Sequence, residues 1–220
     1  MDKKDKELSE DKLRTIKFEF KDGIDSVAEF NPSVTLYGSA RLSKEDNVYQ
    51  KVYQLAFRLA KELGYNILSG GGPGVMEAAN KGGYDAGVKS VGLTIHLPHE
   101  QGANPFVTDE IPFNYFFSRQ TSLSYSTEAC IFCIGGFGTL SELFEILTLK
   151  KTKKIDPIPV ILFGSEFWSG LDIYIREVLN KKFNTINQEE SELYIIEDDV
   201  DKIIEIVKKS KIRDGSQSLK

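Results

Sequence analysis

Ala129-Cys130-Ile131-Phe132-Cys133-Ile134-Gly135-Gly136-Phe137-Gly138-Thr139-Leu140-Ser141-Glu142, ACIFCIGGFGTLSE, changes character twice in a short distance. An unbroken apolar run gives way to glycines, and the glycines give way to a strongly helical pattern over about 139–151. A strand apolar at every position is buried on both faces, which is the habit of parallel sheets covered by helices. The glycines let the backbone turn sharply and lie close to whatever sits above it. Strand, glycine turn and helix in this order predict an α/β unit.

Working outward, the same grammar recurs. SVTLYGS (33–39) is an apolar run ending at Gly38, and YNILSGGG (65–72) is another. Between them, residues 46–63 carry Val52, Leu55, Ala56 and Leu59 at helical spacing, and Gly64 closes that helix as a C-cap. A helix is expected over 74–86, a strand at KSVGLTIHL (89–97), a polar loop at 98–108 and a short strand in VTDEIPF (107–113). A helix over 114–128 then precedes the ACIFCI strand. Downstream come IPVILFG (158–164) as a strand, 166–180 as a helix, LYIIE (193–197) as a strand and 199–211 as a helix. The fold class is therefore α/β: a doubly wound, mostly parallel, Rossmann-like sheet with helices on both faces, in a single domain over 31–211. Residues 1–30 read as an N-terminal extension, charged and frayed over 1–14, with IKFEF (16–20) alternating like a short strand before an Asp22-Gly23 turn. Residues 212–220 form a polar tail.

The 220 residues suit one domain. A net charge of -5 offers no electrostatic footprint for nucleic acid or an anionic membrane, so an anionic ligand needs local dipoles or a few placed cations. No apolar run approaches the roughly 20 residues of a membrane span, and the charged start lacks the apolar stretch of a secretory signal. A cytoplasmic protein is expected. Cys130 and Cys133 share C-x-x-C spacing, but inside a strand residues three apart face opposite sides, which disfavours a working dithiol. His96 and His99 are the only histidines and make a thin case for metal; His96 reads as structural or pocket-lining.

In doubly wound folds ligands bind beyond the carboxyl ends of the strands, where the strand order reverses. The three glycine-rich ends are thus the candidate site. At Gly135, Gly136 and Gly138, unpaired amides at the start of the next helix, with the Thr139 hydroxyl, suit a phosphate. Thr139-x-x-Glu142 is equally a capping box, with threonine bonding the helix start and glutamate reaching back. In SGGGPGVMEAAN (69–80), Gly71 and Gly72 repeat the logic, with Pro73 near the helix start. Glu77 there either complements the helix dipole or accepts bonds from sugar hydroxyls. Gly38 and Ser39 are candidates for the floor under a base or sugar, and Arg41 is either a surface residue or a phosphate partner. Neither G-x-G-x-x-G in its usual register nor a P-loop is present.

Together these ends resemble the Lonely Guy family of nucleotide phosphoribohydrolases, which includes proteins labelled as possible lysine decarboxylases. The hallmark Pro-Gly-Gly-x-Gly-Thr-x-x-Glu is met by Gly135, Gly136, Gly138, Thr139 and Glu142, with Ile134 in place of the proline. GGGPGVMEAAN (70–80) looks like the family's other glycine-rich segment, and Arg119 in FFSRQ matches its helical arginine, with Gln120 where a lysine is usual. The resemblance covers roughly residues 33–180. It implies hydrolysis of the N-glycosidic bond of a nucleoside 5′-monophosphate, of purine, pyrimidine or cytokinin type, to free base and ribose 5-phosphate. It implies Glu142 and Arg119 as catalytic residues, a homodimer or larger assembly, and neither metal nor organic cofactor. A carboxylate such as Glu142 suits a reaction that builds positive charge on a sugar, and near a helix N-terminus its ionised form is expected to be favoured. Glu145 reads as a solvated or supporting residue. KKTKK (150–154) complements a helix C-terminus and offers nothing that locates a pyridoxal phosphate, so the decarboxylase label gains no support from these residues. The alternative function is a non-enzymatic carrier of a phosphorylated nucleotide-like cofactor such as molybdenum cofactor. A dinucleotide dehydrogenase ranks behind both.

Overall fold

A computed structural model of the chain describes residues 3–96, 102–125 and 127–212. It contains a seven-stranded parallel sheet. The strands are β1 (Ser33–Tyr37), β2 (Asn66–Ser69), β3 (Ser90–Ile95), β4 (Asp109–Phe113), β5 (Ala129–Phe132), β6 (Val160–Leu162) and β7 (Ile195–Ile196). The helices are α1 (Lys3–Ala28), α2 (Asn47–Leu63), α3 (Val75–Ala86), α4 (Phe116–Tyr125), α5 (Phe137–Lys151), α6 (Ser165–Ile173), continued by a π-helical segment (Tyr174–Lys182), and α7 (Val200–Lys208).

The central strands β1 and β5 are buried at every position because the sheet is covered on both sides. Alternate residues feed two cores. Val34, Leu36, Ile67, Ala129, Ile131 and Cys133 pack under α2, α3 and α7. Tyr37, Leu68, Val91, Cys130 and Phe132 pack on the other face, with Val27 of α1, Leu123 of α4, Leu143 of α5 and Trp168 of α6. The two cysteines therefore lie on opposite faces as the period of two requires, and burial pushes the Cys133 thiol up to about 12. Both thiols are buried, away from the exposed, electropositive setting of a reactive cysteine. Helix α2 ends at Gly64, whose left-handed φ of 71° and N–H bond to Ala60 make the expected C-cap. Gly82 lets α3 lie against α2: a Cβ there would stand 2.7 Å from the Tyr53 carbonyl oxygen and the Phe57 nitrogen.

The strand order is β4-β3-β2-β1-β5-β6-β7. The chain winds outward from β1 to β4, crosses back through α4, and winds the other way from β5. The order reverses between β1 and β5, whose register pairs Val34 with Ala129 and Tyr37 with Phe132. This places the Gly38 and Gly135 turns side by side at the switch point.

One segment departs from expectation. IKFEF is not a strand but part of α1, which runs without interruption from Lys3 to Ala28 and so also takes up the expected frayed start and the Asp22-Gly23 turn. Gly23 sits inside that helix and allows close approach, since a Cβ would fall 2.7 Å from Ser122 Oγ of α4 and 2.6 Å from the Phe113 ring. Among the described residues no helix is long and apolar enough to cross a membrane. His99 and part of the 98–108 loop lie outside the described residues.

Candidate active site

Three strand ends are tied together by main-chain bonds. The Ser39 amide donates to the Ile134 carbonyl at 2.9 Å, and the Ser39 carbonyl accepts from the Val75 amide at 2.9 Å. Gly38 is required by packing, because a Cβ would stand 2.4 Å from Val75 Cγ1. The Ser39 hydroxyl accepts from the Arg41 amide at 3.1 Å, while Arg41 itself is exposed. Gly38 and Ser39 are thus clamps of the site floor as much as a surface.

Helix α5 starts at Phe137, two residues earlier than the sequence pattern suggests, and Gly136 occupies its N-cap in an extended conformation. No side chain caps it. The capping-box reading of Thr139 and Glu142 is therefore corrected. Thr139 lies in the first turn with its side chain turned onto Gly135, where an added Cβ would meet Oγ1 at 2.2 Å. Gly136 and Gly138 face open space, with nothing within 4 Å of an added Cβ. The first amides of α5 accordingly have no intrahelical partner and no cap, which is the arrangement that binds anions.

Glu142 is in the second turn, 9% exposed, and does not reach back to its own main chain. Its Oε1 accepts from Arg119 Nη2 of α4 at 3.0 Å, in an ion pair largely withdrawn from water. Burial pushes its carboxyl up to about 7; Arg119 opposes that shift and neighbouring Glu145 adds to it. The expectation of a favoured ionised form is overturned, because Glu142 stands beyond the first turn where the helix dipole acts, and desolvation dominates. Glu145 is half-buried, not fully solvated, and its own carboxyl is raised by burial. Arg119 passes 5.5 Å from the Phe116 ring centre, and its Nε is buried without a partner. Gly70 lies beside it, where an added Cβ would be 3.6 Å from Nη1. Gln120 reaches Ser141 Oγ of α5 at 3.4 Å, so the residue in the place of the family lysine braces α4 on α5.

The β2–α3 turn is closed by its own polar network. Gly71 has a φ of 73°, which only glycine adopts at low cost. Its carbonyl accepts from Asn104 Nδ2 at 3.0 Å, as does that of Gly72. Asn104 also donates to Asn80 Oδ1, which accepts from Ser69 Oγ at 2.7 Å. Glu77 is buried, accepting from Tyr49 Oη at 3.0 Å and paired with Lys44 Nζ at 2.8 Å. Sequence reading missed Asn104, Lys44 and Tyr49, which sit in no recognisable motif, and gave no role to Asn80, which closes the 69–80 glycine-rich stretch. His96 is exposed at the end of β3. Lys150 donates to the Leu193 carbonyl and Lys151 pairs with Glu190, so these lysines tie α5 to the C-terminal part. Among the described residues no group of three His, Cys, Asp or Glu could hold a metal.

A model of the family described as possible lysine decarboxylase matches residues 76–207, more than half of the chain and including both Arg119 and Glu142. The chain belongs to this, the Lonely Guy, family. An uncharacterised protein of Archaeoglobus fulgidus is 31% identical over 121 residues, covering 52% of this chain and 77% of that protein. A probable cytokinin riboside 5′-monophosphate phosphoribohydrolase of Oryza sativa subsp. japonica is 33% identical over 100 residues, 42% of this chain and 46% of that one. The match thus spans less than half the length of the rice relative. Among solved structures, a molybdenum cofactor binding protein of Rippkaea orientalis aligns with a TM-score of 0.55 and 25% identity, over 80% of this chain and 93% of that one. The molybdenum cofactor carrier protein of Chlamydomonas reinhardtii aligns with a TM-score of 0.57 and 22% identity, over 80% and 96%. These solved structures share the Rossmann-like fold of this chain.

Proposed function

We propose that the protein hydrolyses the N-glycosidic bond of a nucleoside 5′-monophosphate to a free base and ribose 5-phosphate. The observation that carries this reading is the buried Arg119–Glu142 pair beside an uncapped, open helix start at the sheet's switch point. The open amides around Gly136 and Gly138 hold the 5′-phosphate, and Gly135 and Thr139 shape the loop that presents them. Binding a phosphate that does not react fixes the sugar and lowers the barrier at a distance. As the C1′–N bond breaks, positive charge grows on the sugar ring, and the Glu142 carboxylate stabilises it. Water adds to C1′, and the electrons of the broken bond leave with the base, which takes up a proton. A carboxyl that titrates at about 7 gives and takes protons near neutrality, so Glu142 also serves as the base for that water. Arg119 holds Glu142 in place and orients the nucleotide through its remaining donors.

A homodimer belongs to the same proposal. Phe137 (93% exposed) and Phe144 of α5, with Phe116 and Phe117 of α4, are exposed apolar side chains on the two helices that carry the site, the kind of surface a second copy would cover. Residues 31–211 form the working domain, in the cytoplasm, with neither nucleic acid nor membrane as partner.

The second reading is a carrier of a phosphorylated cofactor such as molybdenum cofactor, favoured by what the two solved relatives bind. A carrier has no use for a buried carboxylate at a sugar carbon, which is why hydrolysis ranks first. Incubation with each common nucleoside monophosphate and with isopentenyl-adenosine monophosphate, followed by detection of free base, decides between them. Release of base from any of these supports the hydrolase; tight binding of a nucleotide with no release supports the carrier.

A further inference from the structure

Glu19 belongs to α1, outside the 76–207 match, in the IKFEF stretch that the sequence pattern reads as a short strand and to which it gives no functional role. It is nevertheless 9% exposed and saturated with donors. Its Oε2 accepts from the Asn114 amide at 2.8 Å and from Asn114 Nδ2 at 2.9 Å. Its Oε1 accepts from the Tyr115 amide at 3.2 Å and from the Ser118 hydroxyl. These groups form the start of α4, the helix whose next residue after Ser118 is Arg119. Helix α4 therefore receives its N-terminal cap from another element, far away in sequence. Burial opposes ionisation of Glu19, but the hydrogen bonds from Ser118, Asn114 and Tyr115 outweigh it and hold the carboxyl below its usual value. Gly23, one turn further along α1, permits the close approach to Phe113 and Ser122 that keeps the two helices in contact.

We infer that Glu19 is a positioning residue for the site: by capping α4 from α1 it fixes where Arg119 meets Glu142. The inference rests on the proposed site only for its consequence in catalysis; the positioning is a property of the fold. A helix start that loses a buried charged cap frays in its first turn, and Arg119 lies in that turn, its amide bonded to the Tyr115 carbonyl at 3.2 Å. Fraying withdraws the guanidinium from Glu142. What then acts on Glu142 is its burial and the like charge of Glu145 of α5, both of which disfavour its ionised form, while the buried Tyr37 of β1 stays neutral and brings no positive charge.

The test follows the Glu142 carboxyl by carbon-13 NMR in the full-length chain, with the resonance assigned by Glu142→Gln. It needs no substrate, so an absence of base release in the parent protein counts against the hydrolase reading and leaves this measurement intact. In Glu19→Ala the Glu142 titration should move upward by about one pH unit, with Glu19→Gln between it and the parent. If base is released, kcat should fall more than KM rises. An unmoved titration in both variants with circular dichroism preserved overturns the inference. Loss of the fold in both variants overturns it equally, since Glu19 would then act on stability alone.

Discussion

The turn after β5 and the turn after β2 carry the same signature, glycines between a buried strand and a helix, and do different physical work. After β2 the glycines are filled in: Gly71 is left-handed, Gly72 lies against Met76, and Gly74 leaves 2.3 Å between a would-be Cβ and the Ser39 carbonyl oxygen. The carbonyls of Gly71 and Gly72 are already bonded by Asn104. After β5, only Gly135 is enclosed, while Gly136 and Gly138 stand open at an uncapped helix. Glycine patterns alone do not tell a packed turn from a cradle; what surrounds the missing Cβ does.

The largest effect expected from separating the two turns is chemical. Glu142→Gln keeps the size of the side chain and removes its charge. Base release should fall by about a hundredfold to a thousandfold, the range for losing one electrostatic group at a reacting centre. The same substitution should stabilise the fold at high pH. The folded chain holds the Glu142 proton more tightly than an unfolded carboxyl with a usual value of 4.5, since burial raises it to about 7. Its contribution to stability is therefore full below about 4.5 and lost as pH rises through about 7. Thermal unfolding of the variant and parent should diverge between pH 5 and pH 8, by on the order of 2–3 kcal/mol at the upper end. Equal stability at both pH values would show that Glu142 is not a strained carboxylate.

Gly74→Ala strikes the packed turn. The residue has a φ of 70°, and its Cβ would collide with main chain that cannot swing away. A loss of about 2–4 kcal/mol is expected in urea unfolding. Asn104→Ala should cost less, about 1–3 kcal/mol, because it strips a donor from the Gly72 carbonyl and from Asn80 while the Asn104 amide keeps its bond to the Gly71 carbonyl. If the second variant were the more damaging, the polar network rather than backbone shape would be what holds the β2–α3 turn.

The central strands, their helices and the switch-point location were legible because unbroken apolar runs and helical spacing report burial directly. Arg119 and Glu142 were legible only through the family motifs; nothing in their own neighbourhood announces that α4 and α5 bring them within 3.0 Å. Helix α1 was misread for a physical reason. Its inward positions include Ile16, Glu19, Gly23 and Val27, spaced for a helix, but two of them are a carboxylate that caps another helix and a glycine that permits close contact. A hydrophobic pattern cannot show an inward face made partly of polar and side-chain-free residues. Phe18, which gave IKFEF its alternating look, is 71% exposed. The capping-box reading failed because the helix starts at Phe137, and a shift of two residues turns Thr139 from cap into first-turn residue.

The smallest change tests the comparison most finely. Gly138→Ala adds one methyl in the first turn of α5, where nothing lies within 4 Å and the backbone is already helical. Alanine favours helix over glycine by about 0.5–1 kcal/mol, so the fold should gain slightly in stability, the opposite of Gly74→Ala. A phosphate resting on the α5 amides would meet that methyl. KM for the monophosphate should therefore rise by about tenfold, or roughly 1.4 kcal/mol of binding, with kcat changed much less. Stability and affinity would then move in opposite directions at a single atom, a result that helix propensity alone does not produce. A variant that binds as tightly as the parent would mean that the open glycines are merely empty, and the anion would have to be sought elsewhere along the strand ends.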